Sequence, residues 1–522
     1  MPGPPPPPYN SYLNQEYSSY CDENLYNYGD FFTGFRPLVQ VHFSSGWDRE
    51  YPSYTSSNDT DKHRRSLLYR KVYQENLFII HDTASKFYAT IDPLFNFQGS
   101  MDYSDSNKKY TQNTRGILLQ GNVGSKFAFS TEFWENQASF PWYLHQFVTE
   151  NYVVPGNGRT KGFGKGSNSY DFSMTEAYLS FAPSSHFSFQ GGYGKNFIGD
   201  GYRSLLLSDN TFAYPYLRIT TTFWHIQYTN LYTEFMDPFS SPSTTVGNVE
   251  NLIQRKAGAF QYLSWNIVPQ VEWGLFQGMI WKAGDQYNHM AFNANYFDPI
   301  IGVNAAAYGL GNTNNVLLGS TIKYKICKNF MTYGQLLIDD FPQKGDMHSI
   351  YNKTGYQAGV KYFNKYGEVQ FEYNQVRPYT YSSADSLENY SHYDQSLADP
   401  LGANFKEFIA IVNMRYHHFS IHLQGNYALE GLDTNYYSQG NNIFLPDTRA
   451  SRGTDVAMLQ GLKSTLMFMD FHISYLMNPR TNMNLTFGVS RRTLSNSLYH
   501  EPTMTLIYLG FRTSLENMYV DF

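Results

Sequence analysis

A chain of 522 residues with 16% charged and 18% aromatic residues, including 46 Tyr and 40 Phe, departs from the roughly 25% charge of ordinary soluble domains. A net charge of −6 offers no broad cationic field and argues against nucleic acid as a partner. Cys21 and Cys327 have no metal or redox spacing, and no run reaches the roughly 18 consecutive apolar residues of a membrane helix.

The opening MPGPPPPPYNSY lacks the basic and apolar regions of a signal peptide. The Pro, Tyr, Asn and Ser content of residues 1–64 predicts a segment that is largely disordered or periplasmic. Residues 65–82 read as a short helical periplasmic segment, with Ser66 as N-cap and Leu68, Tyr69, Val72 and Tyr73 at helical spacing.

From residue 83 to 522 the pattern changes. In Glu368-Val369-Gln370-Phe371-Glu372-Tyr373-Asn374 every second side chain is apolar, and Ile322 to Ile326, Phe419 to Asn426, Phe471 to Tyr475 and Asn482 to Val489 repeat this. Period two marks strands with one apolar and one polar face. Tight connections are expected near 122–125, 183–185, 222–223, 268–270, 327–329, 364–367, 417–418 and 478–480. They alternate with long polar segments at 136–169, 195–215, 236–255, 284–314, 339–352, 376–404 and 430–455.

Short turns alternating with long loops predict an all-β fold, a transmembrane antiparallel up-and-down barrel of about 18 strands. Its short turns would be periplasmic and its long loops external. An even strand number puts both termini on the periplasmic side of a bacterial outer membrane, with the terminal NMYVDF as an aromatic tail. Trp134, Trp224, Trp265, Trp273 and Trp281 are expected in interfacial girdles, whereas Trp47 and Trp142 fall outside strands. A second short helix is expected at 142–150 in an external loop. The polar face would line a lumen of mixed charge, with Lys323, Lys325, Glu368, Glu372, His422 and His472 pointing inward.

The segment GGYGKNFIGDGYRSLLLSDNTFAYPYLRI (191–219) matches neither a dinucleotide fingerprint nor a P-loop. Ser208, Asp209 and His225 are near in sequence, but there is no G-x-S-x-G elbow, and no catalytic residue is assigned. The segment reads instead as an ordered loop folding inward to constrict the mouth. Gly199 and Gly201 supply backbone freedom, Arg203 pairs with Asp200 or Asp209, and Leu205 to Leu207 require cover. Asp385, Glu388, Asp394 and Asp399 match no calcium loop and read as a solvated acidic loop. No metal or cofactor is expected.

GKNFIGDGYRSLLLSDNTFAYPYLRI, TRGILLQGNVGSKFAFSTEFWENQASFP (114–141), SLLYRKVYQENLFII (66–80) and NMYVDF together resemble the gliding-motility RemB group of Bacteroidota outer-membrane proteins, which are similar to the Wzi capsule-assembly family. The likeness spans roughly residues 65–522. It implies an eighteen-stranded Wzi-like barrel without catalytic machinery, one that attaches or organises surface polysaccharide or serves gliding. External aromatic and polar residues would then contact glycan: Trp142, Asp200, Tyr202, Arg203, Asp209, Asn210, Tyr214 and Tyr216. The alternatives are an outer-membrane pore and an accessory barrel of a motility, secretion or assembly complex. The expected partners are outer-membrane lipid, surface polysaccharide and other outer-membrane or periplasmic proteins.

Overall fold

The computed structural model describes residues 6–15, 17–18, 22, 33–43, 66–105, 108–162, 168–238, 254–284, 294–303, 306, 314–340, 348–434, 437–450, 455–498, 501–513 and 518–522. Cys21 and Trp47 lie outside the described residues.

Eighteen long antiparallel strands close into one barrel. The first six are β1 (Phe87–Asp102), β2 (Lys109–Val123), β3 (Phe127–Ser139), β4 (Ser169–Ser184), β5 (Phe187–Gly194) and β6 (Tyr214–Phe223). The middle six are β7 (Ile226–Asp237), β8 (Gln254–Val268), β9 (Val271–Gly284), β10 (Asn315–Cys327), β11 (Phe330–Asp340) and β12 (Lys353–Asn364). The last six are β13 (Gly367–Val376), β14 (Phe405–Tyr416), β15 (Phe419–Leu432), β16 (Leu462–Asn478), β17 (Met483–Asn496) and β18 (Met504–Arg512). Tight turns gather at one end and long loops at the other.

Alternation sets the two faces. Glu368, Gln370, Glu372 and Asn374 are buried inside, while Phe371 between them is 56% exposed on the outer wall. Ile117, Leu179, Ile322, Leu423 and Phe487 are likewise exposed outward. This is the apolar belt that hydrocarbon covers in a membrane barrel.

The seam is unusual. β18 pairs with β1 only from Leu506 opposite Asp102 to Arg512 opposite Asn96. The rest of that edge is taken by a strand from before the barrel, Phe78–Asp82, with Phe78 opposite Ile91 and Asp82 opposite Phe87. The two pieces meet at Pro93, which has no N–H to donate to a ladder. Beside it, the Asp92 carboxylate accepts from the Leu77 amide (2.8 Å) and Asn76 Nδ2 (2.7 Å), and Phe95 N–H donates to Thr513 Oγ1 (3.0 Å). The helical piece expected from Ser66 to Asn76 is therefore present but ends at Tyr73, and the rest of the segment continues as a wall strand. The helix, α1 (Leu67–Tyr73), has the expected Ser66 cap, and the Asn478 side chain clamps it by donating to the Lys71 and Glu75 carbonyls.

Both chain ends enter the lumen. In the N-terminal segment, where composition predicted disorder, Asn10, Leu13, Tyr17, Asp22, Phe35, Arg36 and His42 are all buried. A polar tract with little apolar content can order when the wall supplies its partners. Arg218 donates to Asn10 Oδ1 (2.9 Å) and the Pro37 carbonyl (3.1 Å), Lys361 binds Asp22 (2.8 Å), and the His42 ring bonds Ser188 Oγ (2.9 Å). The end of the chain also differs from a strand-terminal aromatic tail. The wall ends at Arg512, and residues 518–522 turn inside, where Tyr519 donates to Asp209 (2.8 Å) and Phe522 packs on Phe147.

Two tryptophans depart from the girdle expectation. Trp134 faces inward and is 6% exposed, packed with Leu94, Leu118 and Met174. Trp281 faces outward but is covered by Tyr296, whose ring stacks on it at 4.1 Å. Tyr296 belongs to a stretch of the β9–β10 loop that lies against the outside of the wall. There Gly302 N–H donates to Gln277 Oε1 (2.7 Å), Gln261 Nε2 donates to the Asp298 carbonyl (3.3 Å), and Gln277 donates to Gln261 (2.9 Å). The stretch satisfies polar groups that hydrocarbon could not and presents Phe297 and Ile300 outward in their place.

Candidate functional site: a plugged lumen with a polar side cavity

The loop between β5 and β6 folds into the barrel. Leu205, Leu206 and Leu207 are fully buried in the main core with Phe235, Phe260, Tyr381 and Tyr390. Two glycines admit the loop for different reasons. Gly199 has φ +155°, whereas Gly201 lies so near Glu372 that any Cβ would strike its carboxylate.

Wall groups hold this loop at several points. Glu372 accepts from the amides of Tyr202 (2.8 Å) and Arg203 (3.1 Å), and Gln335 Oε1 accepts from Leu205 N–H (2.8 Å). Lys323 reaches Asp200 at 2.5 Å. Arg203, 1% exposed, is the central ion. It forks onto Glu407 (Nη2 3.0 Å, Nε 3.3 Å) and onto Asp521 of the returning tail (3.1 and 3.2 Å). The Tyr202 and Tyr519 rings lie beside its guanidinium at 4.8 and 5.5 Å. Asp22 of the N-terminal segment binds Arg36 and Lys361. Burial pushes the Asp22 carboxyl up, but Arg36 and then Lys361 outweigh it and hold it well below the ordinary range.

These contacts place the residues expected to meet glycan from outside. Asp200, Tyr202, Arg203, Asp209, Asn210, Tyr214 and Tyr216 are all buried within the lumen. Their partners are protein groups: Asn210 donates to the Ser396 carbonyl (3.3 Å), Tyr214 accepts from Asn196 N–H (3.1 Å), and Tyr216 donates to Gln190 (3.0 Å). They wire a plug and offer no outer surface. Arg203 pairs with Glu407 and Asp521, not with Asp200 or Asp209. Trp142 opens α2 (Trp142–Asn151) at the long-loop end and is 46% exposed.

The six lumen candidates face inward. Lys323 and Glu372 bind the plug, Asn413 donates to Glu368 (3.4 Å), and His422 and His472 stack at 4.7 Å. Lys325 lies on the same face nearer the tight turns and is partly exposed. Ser208 and Asp209 sit on the plug, while His225 lies in the tight turn after Phe223. The acidic loop is not solvated as expected. Asp394 and Asp399 are buried, and Glu388 is pushed up to about 7 by burial and then by Asp385.

Between the plug and the opposite wall, cavities remain that the N-terminal segment, α2 and the C-terminal tail only partly fill. A cavity of about 360 Å³ lies against β1–β3 and β15–β18, lined by Gln98, Gln112, Asn136, Gln424, Tyr110 and Tyr508 among others. Towards the tight turns it abuts a second cavity, about 410 Å³, which shares Asn482 with it and is lined by Asp92, Gln120 and Asn122. A smaller cavity of about 80 Å³ adjoins both and shares Asn14 with the first and Tyr12 with the second. Amides, hydroxyls and aromatic faces line the first cavity beside the ionisable His422, Asp470, His472 and Arg512, a mixture of polar and ring surfaces that suits a hydroxyl-rich ligand. The sequence reading passed over these residues, although the inward register Asn96, Gln98, Ser100 on β1 repeats the same period-two signal.

No protein-family model and no curated protein matches the chain. Among solved structures, it is similar to Wzi of Escherichia coli, an outer membrane protein involved in group 1 capsule assembly and a carbohydrate-binding β-barrel. The TM-score is 0.56 at 14% identity, over 97% of this chain and 100% of that one. OccAB2 of Acinetobacter baumannii (TM-score 0.43, 10% identity, 81% of this chain and 97% of that one) and OprD of Pseudomonas aeruginosa (0.41, 9%, 84% and 96%) are also similar. The shared property at this identity is the fold, an eighteen-stranded closed barrel of the outer-membrane type.

Proposed function

We propose that this chain is a non-enzymatic outer-membrane barrel that attaches or organises surface polysaccharide, with its tight turns on the periplasmic side; the expected periplasmic C-terminus is not kept, because the tail runs up the lumen and Phe522 packs on Phe147 at the long-loop end. The observation that carries this reading is the combination of a lumen plugged by the chain itself with a one-sided cavity lined by amides and aromatic rings. The fold it shares with Wzi supports the reading, as does the resemblance of GKNFIGDGYRSL to the RemB group. A role in capsule assembly or gliding is part of the same proposal. The glycan-contacting set moves from the plug loop to Gln98, Gln112, Asn136 and Tyr110 of the cavity, together with exposed Trp142.

The test is a strain lacking the chain, complemented with the wild type or with Gln98→Ala/Gln112→Ala/Asn136→Ala. Cell-bound and shed polysaccharide are measured at constant total. Shedding should rise in the deletion and in the triple variant. Unchanged retention in the deletion ends the carbohydrate role, and a rise in the deletion alone ends the residue assignment.

A substrate-selective pore is the second reading, favoured by the three adjoining cavities that follow one another towards the tight turns. Single-channel conductance of the wild-type barrel in a planar bilayer would favour this reading over an organising role.

A further inference from the structure

We propose that His422, Asp470 and His472 form a binding site for one divalent transition-metal ion on the lumen wall, a role independent of the glycan reading. His422 on β15 and His472 on β16 are direct cross-strand partners, and Asp470 lies two residues earlier on the same inward face. One ligand atom from each lies within 4.8 Å of the other two, and no other such group of three occurs among the described residues. All three line the 360 Å³ cavity.

The neighbours orient the set as the outer shell of a metal site does. Asn413 Oδ1 on β14 lies 2.7 Å from His422 Nδ1, and the Tyr508 hydroxyl donates to both oxygens of Asp470 (2.9 and 3.2 Å). Tyr508 reaches Asp470 across Gly488, its partner on β17, where a Cβ would collide with the Tyr508 ring and with His472. Two imidazoles and a carboxylate suit zinc, copper or nickel rather than calcium or magnesium, which prefer all-oxygen shells. His472 Nδ1 and Asp470 Oδ2 already lie 2.8 Å apart, a hydrogen bond that the ion would replace, and bond lengths of about 2.0–2.2 Å require His422 to close on that pair. The sequence carried no spacing signal for this site because its histidines come from separate hairpins and meet only through register.

The experiment uses the full-length, metal-stripped barrel in detergent, titrated with Zn2+ by calorimetry. The wild type should bind one equivalent that the His417→Gln/His418→Gln variant keeps, since those histidines lie at the tight turn after β14. His422→Gln/His472→Gln should lose it. Tyr508→Phe, with all three ligands intact, should bind about 10- to 100-fold more weakly. Should the double ligand variant fail to fold, one equivalent of Cu2+ in the turn variant gives an independent reading, an electron paramagnetic resonance spectrum with coupling to two imidazole nitrogens. Absence of a Zn2+ equivalent, its survival in folded His422→Gln/His472→Gln, its loss in the turn variant, or a copper spectrum without two nitrogens overturns the site.

Discussion

Arg203→Met removes a cation that joins the plug loop, the wall and the C-terminal tail while nearly preserving side-chain length. The wild-type guanidinium is 1% exposed, forks onto Glu407 and Asp521, and lies 3.9 Å from Asp399. Its loss leaves three carboxylates facing one another without a cation. Breaking a buried pair from one side costs about 3–5 kcal/mol, which at about 1.4 kcal/mol per decade shifts the docked-to-undocked ratio of the loop by roughly two to three and a half orders of magnitude. Amide hydrogen exchange reads that shift directly. Protection at Tyr202 and Leu205, whose N–H groups donate to Glu372 and Gln335, should fall by about 100-fold or more, while strand amides near Phe371 hold. A loss under about tenfold would show that apolar packing of Leu205 to Leu207 holds the loop without the ion. An equal loss in loop and strands would show that the arginine supports the whole barrel and not the plug.

Asp521→Asn should weaken the same docking. Combined with Arg203→Met in a double-mutant cycle, it should show coupling of about 0.5–3 kcal/mol by exchange at Tyr202; strict additivity would mean the tail and loop dock separately. Gly201→Val, whose Cβ meets the Glu372 carboxylate and the Arg203 carbonyl, should loosen the loop by about 1–3 kcal/mol, read by the same exchange. His42 is buried at the tight-turn end, and burial lowers its pKa from 6.5 to about 4. The docked segment therefore holds the neutral ring. Its stabilisation is complete above the unfolded pKa and is lost as pH falls from 6.5 towards 4. Near pH 5 docking should be weaker by about 2 kcal/mol, seen as faster proteolysis of the N-terminal segment, and His42→Asn should flatten the profile. Asp92→Ala strands the Leu77 amide and Asn76 and should fray Phe78–Asp82 by about 1–3 kcal/mol, measured by exchange at Ile80.

The wall was legible because a strand in lipid writes its own pattern. Val369, Phe371 and Tyr373 alternate with Glu368, Gln370 and Glu372, and no distant residue is needed to see it. The inward fold of the β5–β6 loop was legible from Leu205 to Leu207, three apolar side chains that solvent could not keep. Its chemical role was not, because Arg203 and Tyr202 look the same in a glycan-binding loop as in a plug. Their partners Glu372, Glu407 and Asp521 lie far along the chain. The burial of Asn10 and Asp22 was hidden for the same reason: they are held by Arg218 and Lys361, which no local composition contains. Trp134 misled because an aromatic in a strand suits a girdle or a core equally well, and only register decides. Gln261 and Gln277, outward yet buried, break the alternation where a second stretch of chain covers the wall.

The seam at Pro93 divides one strand edge between two occupants. Pairing of β18 alone closes the upper part of the β1 edge and leaves Phe87 to Ile91 with unsatisfied backbone groups. An uncovered edge of that length is a template for a strand from any other chain. The residues ahead of the wall thus act as a built-in occupant of their own hazard. A truncation that begins at Phe87 would retain all eighteen staves yet offer a five-residue landing strip for strand exchange, turning a self-sealed edge into an invitation to pair with a neighbour.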